Sequence, residues 1–284
     1  MQNLVDIQTE IEFIKKCELD FNCQSDELKG ILVDFLSQKS KYIRSTVACL
    51  LFKSMGIELS QSQLYVLVAT ELIHNASLIH DDAIDESETR RNKISLNMKF
   101  NNKLAIISGD YLLSLANKYI LMTKSFEVVE NFSNCIGKMC IGESNQYFER
   151  YKIPSMDNYI DKTTNKTAEL FKALIMSIYF LAKENVSIDI ESFARNFGIA
   201  FQIRNDLDDY MKKDCSTDIK DGVYTAPVIL GHSIDYNVEA IEKTLNLIHN
   251  YSEKAKFCIK DIQCNEYNLA LVGIIDKLCN PKNY

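Results

Sequence analysis

Glycine and proline are scarce in this sequence. Nine glycines and three prolines in 284 residues amount to about a third of average usage, too little turn punctuation for a many-stranded sandwich or barrel. A mostly helical chain follows. Lysine and arginine form no run of the kind that marks a nucleic-acid surface, and 32 basic against 39 acidic residues leave a formal charge of -7. No nucleic-acid partner is expected. The nine cysteines are scattered and never spaced as CxxC, which speaks against both a disulfide framework and a zinc site and for reduced thiols in a cytoplasmic protein. The first twenty residues, MQNLVDIQTEIEFIKKCELD, lack an apolar core of signal-peptide length, so no export or transit signal is read. The longest apolar stretch, Ala173 to Ala182, sits between Lys172 and Lys183. It has about half of the roughly 20 residues that a membrane span needs and reads as a buried core helix.

What is present is ordinary globular composition, 46% hydrophobic and 25% charged, with long stretches free of helix breakers. Residues 60 to 84 run without glycine or proline from Ser60, a plausible helix cap, and at about 1.5 Å per residue would form a helix of roughly 37 Å. From Leu64 to Ile79 this segment is apolar on nearly every side, the mark of a central helix surrounded by others. Further helices are predicted over 102–122, 125–148, 157–183, 188–211, 224–251 and 265–279, with polar breaks at Asn101, Ser155 and Asp214 to Gly222. No linker or repeat divides the chain, so residues 1–284 are read as one all-α domain, a bundle of about 10–13 helices.

Two acidic clusters share a spacing. The long helix ends in His80-Asp81-Asp82-Ala83-Ile84-Asp85, and carboxylates four apart, Asp81 and Asp85, lie on one helical face. Like charges there repel and oppose the helix dipole, so a cation should compensate them. The second cluster, Gln202-Ile203-Arg204-Asn205-Asp206-Leu207-Asp208-Asp209-Tyr210, closes another predicted helix and repeats the spacing in Asn205 and Asp209. Two such ends facing each other would form an all-oxygen cage suited to Mg²⁺. Calcium loops are excluded, since no alternating Asp-x-Asp-x-Asp-Gly is present. Candidate anion binders are Arg90 and Arg91, shortly after the first cluster, and Lys41 and Arg44 at the start of an earlier helix. His74 lies on the otherwise apolar stretch of the long helix.

The run from Glu71 to Asp85, followed by Arg90-Arg91 and Gly109-Asp110-Tyr111-Leu112-Leu113, resembles the first aspartate-rich region of the trans-isoprenyl diphosphate synthases, the polyprenyl synthetase family. Lys166-Thr167 before Ala168-Glu169-Leu170, Gln202-Ile203 before the second cluster, and Asp218, Gly222, Thr225 and Pro227 extend the match in order over roughly residues 40–230. The resemblance implies an all-α fold with a deep central cavity, usually a homodimer, that condenses isopentenyl diphosphate head to tail onto an allylic diphosphate. By the same resemblance Asp81, Asp82 and Asp85, with Asn205, Asp206 and Asp209, hold Mg²⁺, three ions per active site, on the allylic diphosphate. Arg90 and Lys213 face that group, Lys41, Arg44, His74 and Arg91 bind isopentenyl diphosphate, and Lys166, Thr167 and Gln202 line the reacting centre.

Side-chain size carries an expectation about chain length. Ala76 and Ser77 lie about one turn before Asp81, where short-chain members of the family place aromatic residues, so products longer than farnesyl are expected. With Tyr65 as the floor, roughly 18 Å of helix from Ser77, the range is geranylgeranyl to octaprenyl. Four positions depart from the family pattern: Tyr42 stands for an arginine, Asn205 for an aspartate, Val223 for a lysine and Asn92 for a glycine. They leave two alternatives open, a class I terpene synthase and a subunit of a heteromeric prenyl synthase.

Overall fold

The computed structural model describes residues 6–182, 188–212 and 216–280. By their internal contacts they fall into two compact units, Met1–Val129 and Glu130–Tyr284. The sequence carries no linker at this division, and Val129 lies inside a helix.

The first unit is built around the long helix that begins after Ser60. It contains α1 (Gln8–Leu19), α2 (Asp26–Leu36), α3 (Ile43–Ser54), α4 (Gln61–Ile84), a hairpin of β1 (Thr89–Arg90) and β2 (Lys93–Ile94), α5 (Leu96–Lys99) and α6 (Asn102–Met122). The side chain of Gln63 accepts the Ser60 backbone N–H at 2.8 Å, closing the start of α4. Helix α4 runs along α6 and also meets α1, α3 and α5. Every residue from Val66 to Ile73 is buried, as its all-round apolar sequence requires. On α6, a β-carbon at Gly109 would come into collision with His80 Nε2 of α4, so any larger residue there would require the His80 ring to move aside.

In the second unit the chain continues from α7 (Phe126–Phe148) into α8 (Met156–Thr163), a π-helical turn (Thr164–Ala168), α9 (Glu169–Leu181), α10 (Ile190–Tyr210), α11 (Thr217–Lys220), α12 (Ala226–Gly231), α13 (Val238–Cys258) and α14 (Glu266–Cys279). Helix α10 is its hub, touching α9, the π turn, α12, α13 and α14. Phe193, Phe197 and Phe201, four residues apart, share one face of α10, and Phe171 of α9 packs edge-on against Phe197 and Phe201 at 5.2 and 5.6 Å between ring centroids. The apolar stretch from Ala173 lies on α9, where Ala173, Leu174, Ile175 and Ile178 are buried. No helix among the described residues is long and apolar enough to cross a membrane.

Two predicted helices are interrupted. The segment 157–183 carries the π turn in its middle, and 224–251 is two helices, α12 and α13. Helix α12 ends at Gly231 and His232 takes the left-handed conformation with φ 53°. Asn237 then caps α13, its side-chain oxygen accepting the N–H groups of Glu239 and Ala240 at 2.8 and 3.3 Å. The left-handed turn at His232 and the Asn237 cap win here over continued helix, leaving Ile234 and Tyr236 of the connection exposed.

The π turn is wedged between two glycines. A β-carbon on Gly142 of α7 would lie 2.9 Å from the Lys166 nitrogen, and one on Gly198 of α10 would lie 2.6 Å from the Ala168 α-carbon. Gly198→Val should therefore overpack the turn at a cost of about 2–3 kcal/mol, lowering the melting temperature followed by circular dichroism. Gly137→Ala, where nothing lies within 4 Å, should instead gain up to about 1 kcal/mol of helix propensity.

Candidate active site

The first acidic cluster ends α4. Asp81 and Asp85 are half-buried, and the Asp85 N–H still bonds to the Asp81 carbonyl at 2.8 Å, so helical geometry carries both carboxylates on one face. Asp82 is 2% exposed, a buried charge that needs a partner. Arg90 supplies it: Nε donates to Oδ1 and Oδ2 at 2.9 and 3.1 Å, and Nη2 also contacts Oδ1. Burial works against the Arg90 charge, but Asp82, Asp81 and Asp85 outweigh it and hold the guanidinium more firmly protonated. This is the cation that the sequence spacing demanded.

The hairpin presents the neighbouring arginine. Its two-residue turn is Arg91-Asn92, with φ of 51° and 62°, as a tight hairpin turn requires at both central positions. Asparagine tolerates this conformation better than most residues, so Asn92 meets the same backbone demand as a glycine. Arg91 Nη2 donates to Asn75 Oδ1 at 3.0 Å, and its guanidinium lies 5.7 Å from the Phe35 ring centroid.

Behind these groups α4 carries polar residues on its buried face. Glu71, 1% exposed, accepts both the Ser45 N–H and the Ser45 hydroxyl, at 3.3 and 2.6 Å. Burial raises its pKa, against the pull of Ser45, Arg44 and Arg91. His74 lies nearly one turn further on; burial and then the charges of Arg44, Arg91 and Arg90 push its pKa down, so the imidazole is neutral near pH 7. The structure thus gathers Arg44, His74, Arg90 and Arg91 in one neighbourhood of the first unit. Lys41 is exposed on the loop before α3, and Tyr42, at φ 47°, turns the chain into that helix. On α4, Ala76 is fully buried and Ser77 partly so, its hydroxyl donating to the His74 carbonyl at 2.9 Å. Tyr65 stands in an aromatic cluster with Phe13 and Tyr119, with centroids 6.3 and 5.8 Å away.

The second unit holds the other candidates. Lys166 and Thr167 lie in the π turn, a local irregularity common at functional sites. Thr167 donates to the Gln202 side-chain oxygen at 2.9 Å, Gln202 donates to Asp206 Oδ1 at 2.6 Å, and Tyr159 donates to Asp206 Oδ2 at 2.6 Å. Burial raises the Asp206 pKa, with Tyr159, Gln202, Lys162 and Lys166 acting against it. Lys166 pairs with Glu143 of α7. Asn205 is exposed, and Asp208 pairs with the buried Arg204. Asp209 accepts from Ser216 and the Asp218 N–H on one oxygen, and from Lys212 and Thr217 on the other, at 2.6–3.1 Å. Lys213 lies outside the described residues.

Sequence reasoning missed Glu18, Asn75, Tyr159, Lys162 and Glu143, which carry the partners of the predicted residues. Asn75 lies within the run that resembles the first aspartate-rich region but is not one of its charged residues, and the other four stand in no acidic or basic motif, so only the long-range pairing singles them out.

Asp81 and Asp85 offer hard oxygen donors on one helix face, which fits a Mg²⁺-like ion held by one or two carboxylates together with phosphate oxygens. Among the described residues no three His, Cys, Asp or Glu side chains gather as a metal cage.

Helical packing of this kind is shared with solved prenyl synthases. Heptaprenyl diphosphate synthase from Staphylococcus aureus superposes with a TM-score of 0.87 at 22% identity, covering 97% of this chain and 98% of that one. A polyprenyl synthase from Caulobacter crescentus, complexed with calcium and isoprenyl diphosphate, does so with a TM-score of 0.82 at 23% identity, covering 95% and 93%. Residues 25–264 match the family described as polyprenyl synthetase, and the chain belongs to that family. Decaprenyl-diphosphate synthase of Dictyostelium discoideum is 38% identical over 210 residues, a match that covers 71% of this chain and 46% of the relative, about half its length.

Burial tends to raise the Asp209 pKa, but Lys212, Ser216 and the Asp218 N–H together hold it below the ordinary carboxylate value. The stabilisation is present above that ordinary value and lost as pH falls through the lowered one. Asp209→Ala should remove the anchor of α11 and speed hydrogen exchange at the Asp218 amide at neutral pH, while exchange in the middle of α13 stays unchanged.

Proposed function

We propose that the chain is a trans-polyprenyl diphosphate synthase, which condenses isopentenyl diphosphate head to tail with an allylic diphosphate and yields products longer than farnesyl, in the geranylgeranyl to octaprenyl range. The observation that carries this reading is the juxtaposition at the end of α4: carboxylates at Asp81 and Asp85 beside Arg90, with Arg44, neutral His74 and Arg91 close by. One oxygen face for a metal diphosphate and one cationic group for a second diphosphate suit a two-substrate condensation. A cyclase, favoured in part by Asn205-Asp206, has no use for the second.

In this reading Asp81, Asp82 and Asp85, and likewise Asn205, Asp206 and Asp209, are the oxygen ligands for Mg²⁺, three ions per active site. Bound Mg²⁺ supplies charge neutralisation at the diphosphate oxygens. Arg90 and Lys213 are the cations assigned to the allylic diphosphate, where they stabilise the negative charge that grows on it as the C–O bond breaks. Lys41, Arg44, His74 and Arg91 bind and orient isopentenyl diphosphate so that its alkene attacks the allylic cation. Lys166, Thr167 and Gln202 line that reacting centre. Their fixed dipoles, linked from Thr167 through Gln202 to Asp206, stand where water would otherwise quench the cation. Loss of a proton, to the released diphosphate, restores a double bond one five-carbon unit further on.

Homodimerisation is part of the proposal, supported by Ile106, Ile107 and Leu121, which are exposed on α6. A cytoplasmic, reducing setting is supported by the free thiols of all described cysteines.

The test is incubation of the purified chain with Mg²⁺, labelled isopentenyl diphosphate and farnesyl diphosphate, followed by dephosphorylation and chromatographic sizing. A ladder extending beyond C20 is expected; cyclic hydrocarbon instead, or no incorporation with any allylic primer, would overturn the reading. Asp81→Ala should lower turnover about a hundredfold or more with helicity unchanged by circular dichroism. Ala76→Phe should shorten the ladder, because a ring placed one turn before Asp81 blocks the path assigned to the growing tail.

A further inference from the structure

Glu18 belongs to no motif, yet three separate elements converge on it. It lies on the last turn of α1 and is 2% exposed. Its Oε2 accepts from the Tyr42 hydroxyl at 2.7 Å, and its Oε1 accepts from Asn75 Nδ2 at 2.9 Å. Asn75 Oδ1 in turn accepts from Arg91. The polarity of this chain is fixed from its Arg91 end: a guanidinium can only donate, so Asn75 turns its oxygen to Arg91 and its NH₂ group to Glu18. Asn75 therefore has one usable orientation, and it bridges Arg91 and Glu18 instead of letting them meet directly.

Stability does not explain the carboxyl. Burial first, and the nearby Glu71 next, push its pKa up to about 8, against the pull of Tyr42, Arg91 and Asn75. A well-packed apolar side chain would avoid that cost. The two residues it reaches are themselves strained: Tyr42 and Arg91 sit at φ of 47° and 51°, conformations that persist only where their surroundings over-determine them.

We infer that Glu18 is a positioning residue for isopentenyl diphosphate, setting the Lys41–Arg44 loop through Tyr42 and the Arg91 guanidinium through Asn75. This rests on the assignment above of Lys41, Arg44, His74 and Arg91 to that diphosphate. Glu18 does not touch the substrate; it fixes the spacing of the cations that do. Tyr42, the departure from the family's arginine, becomes intelligible as the hydroxyl that ties the loop to α1.

Isothermal titration of the full chain with isopentenyl diphosphate, and separately with farnesyl thiodiphosphate plus Mg²⁺, tests this without requiring turnover. Glu18→Leu should weaken isopentenyl diphosphate at least tenfold and the allylic analogue less than twofold. Glu18→Gln, which can accept from Asn75 and donate to the Tyr42 oxygen, should stay within threefold of wild type for both. Tyr42→Phe removes one hydroxyl and should weaken isopentenyl diphosphate alone by three- to fivefold; it carries the test if Glu18→Leu does not fold. Unchanged affinities in the variants, parallel weakening of both ligands, or Glu18→Gln as weak as Glu18→Leu would overturn the positioning role alone. A wild-type chain that binds neither diphosphate would overturn the functional assignment, and the positioning role with it.

Discussion

Asp82 is a carboxylate buried at the negative end of a helix dipole, with Asp81 and Asp85 beside it. Only a cation held at close range makes that tolerable, and Arg90 is that cation. Because the contact is two-pronged, it fixes direction as well as distance. The hairpin is thereby tied to the end of α4, its turn projects Arg91, and Arg91 reaches Asn75 and through it α1. Removing the guanidinium would leave Asp82 buried and uncompensated, a loss of about 3–5 kcal/mol. The pair thus joins the end of α4, the hairpin and the Arg91–Asn75–Glu18 chain into one connected set of polar contacts.

The second unit uses its acids differently. Asp206 is oriented by Tyr159 and Gln202, Asp208 by Arg204, and Asp209 by the start of α11. Asn205 alone of the cluster is exposed. Three of four residues that look interchangeable as oxygen donors thus have separate structural duties. That division explains why a neutral amide is tolerated at 205: no buried cation there depends on a carboxylate.

Local pattern made much of this legible. Ser60 marked the start of α4, the four-residue spacing placed Asp81 and Asp85 on one face, and unfavourable charge called for Arg90 or its like. Long-range pairing was illegible. Glu18 and Asn75 are 57 residues apart, and no periodicity relates them. The break at 232–237 was hidden because left-handed His232 and the cap Asn237 act together as stop and start, and neither residue type is decisive alone. Asn92 departs from the family's glycine by residue type, yet its backbone shows the same left-handed requirement once the hairpin is seen.

The π turn has a consequence for how this chain tolerates length changes. A π turn is one residue more than an α-helix needs, so deleting one residue from 164–168 would give a more regular helix. A π turn of five residues advances about as far around the axis as four residues of α-helix, so such a deletion would leave α8 and α9 in register with each other. What it would cost is the contact of the residue removed: Thr167 holds Gln202, and Ala168 sits against Gly198. The turn is therefore the place in this helical stretch where the chain carries a residue outside the helical register, whereas a deletion within α8 or α9 would turn all that follows by about 100°.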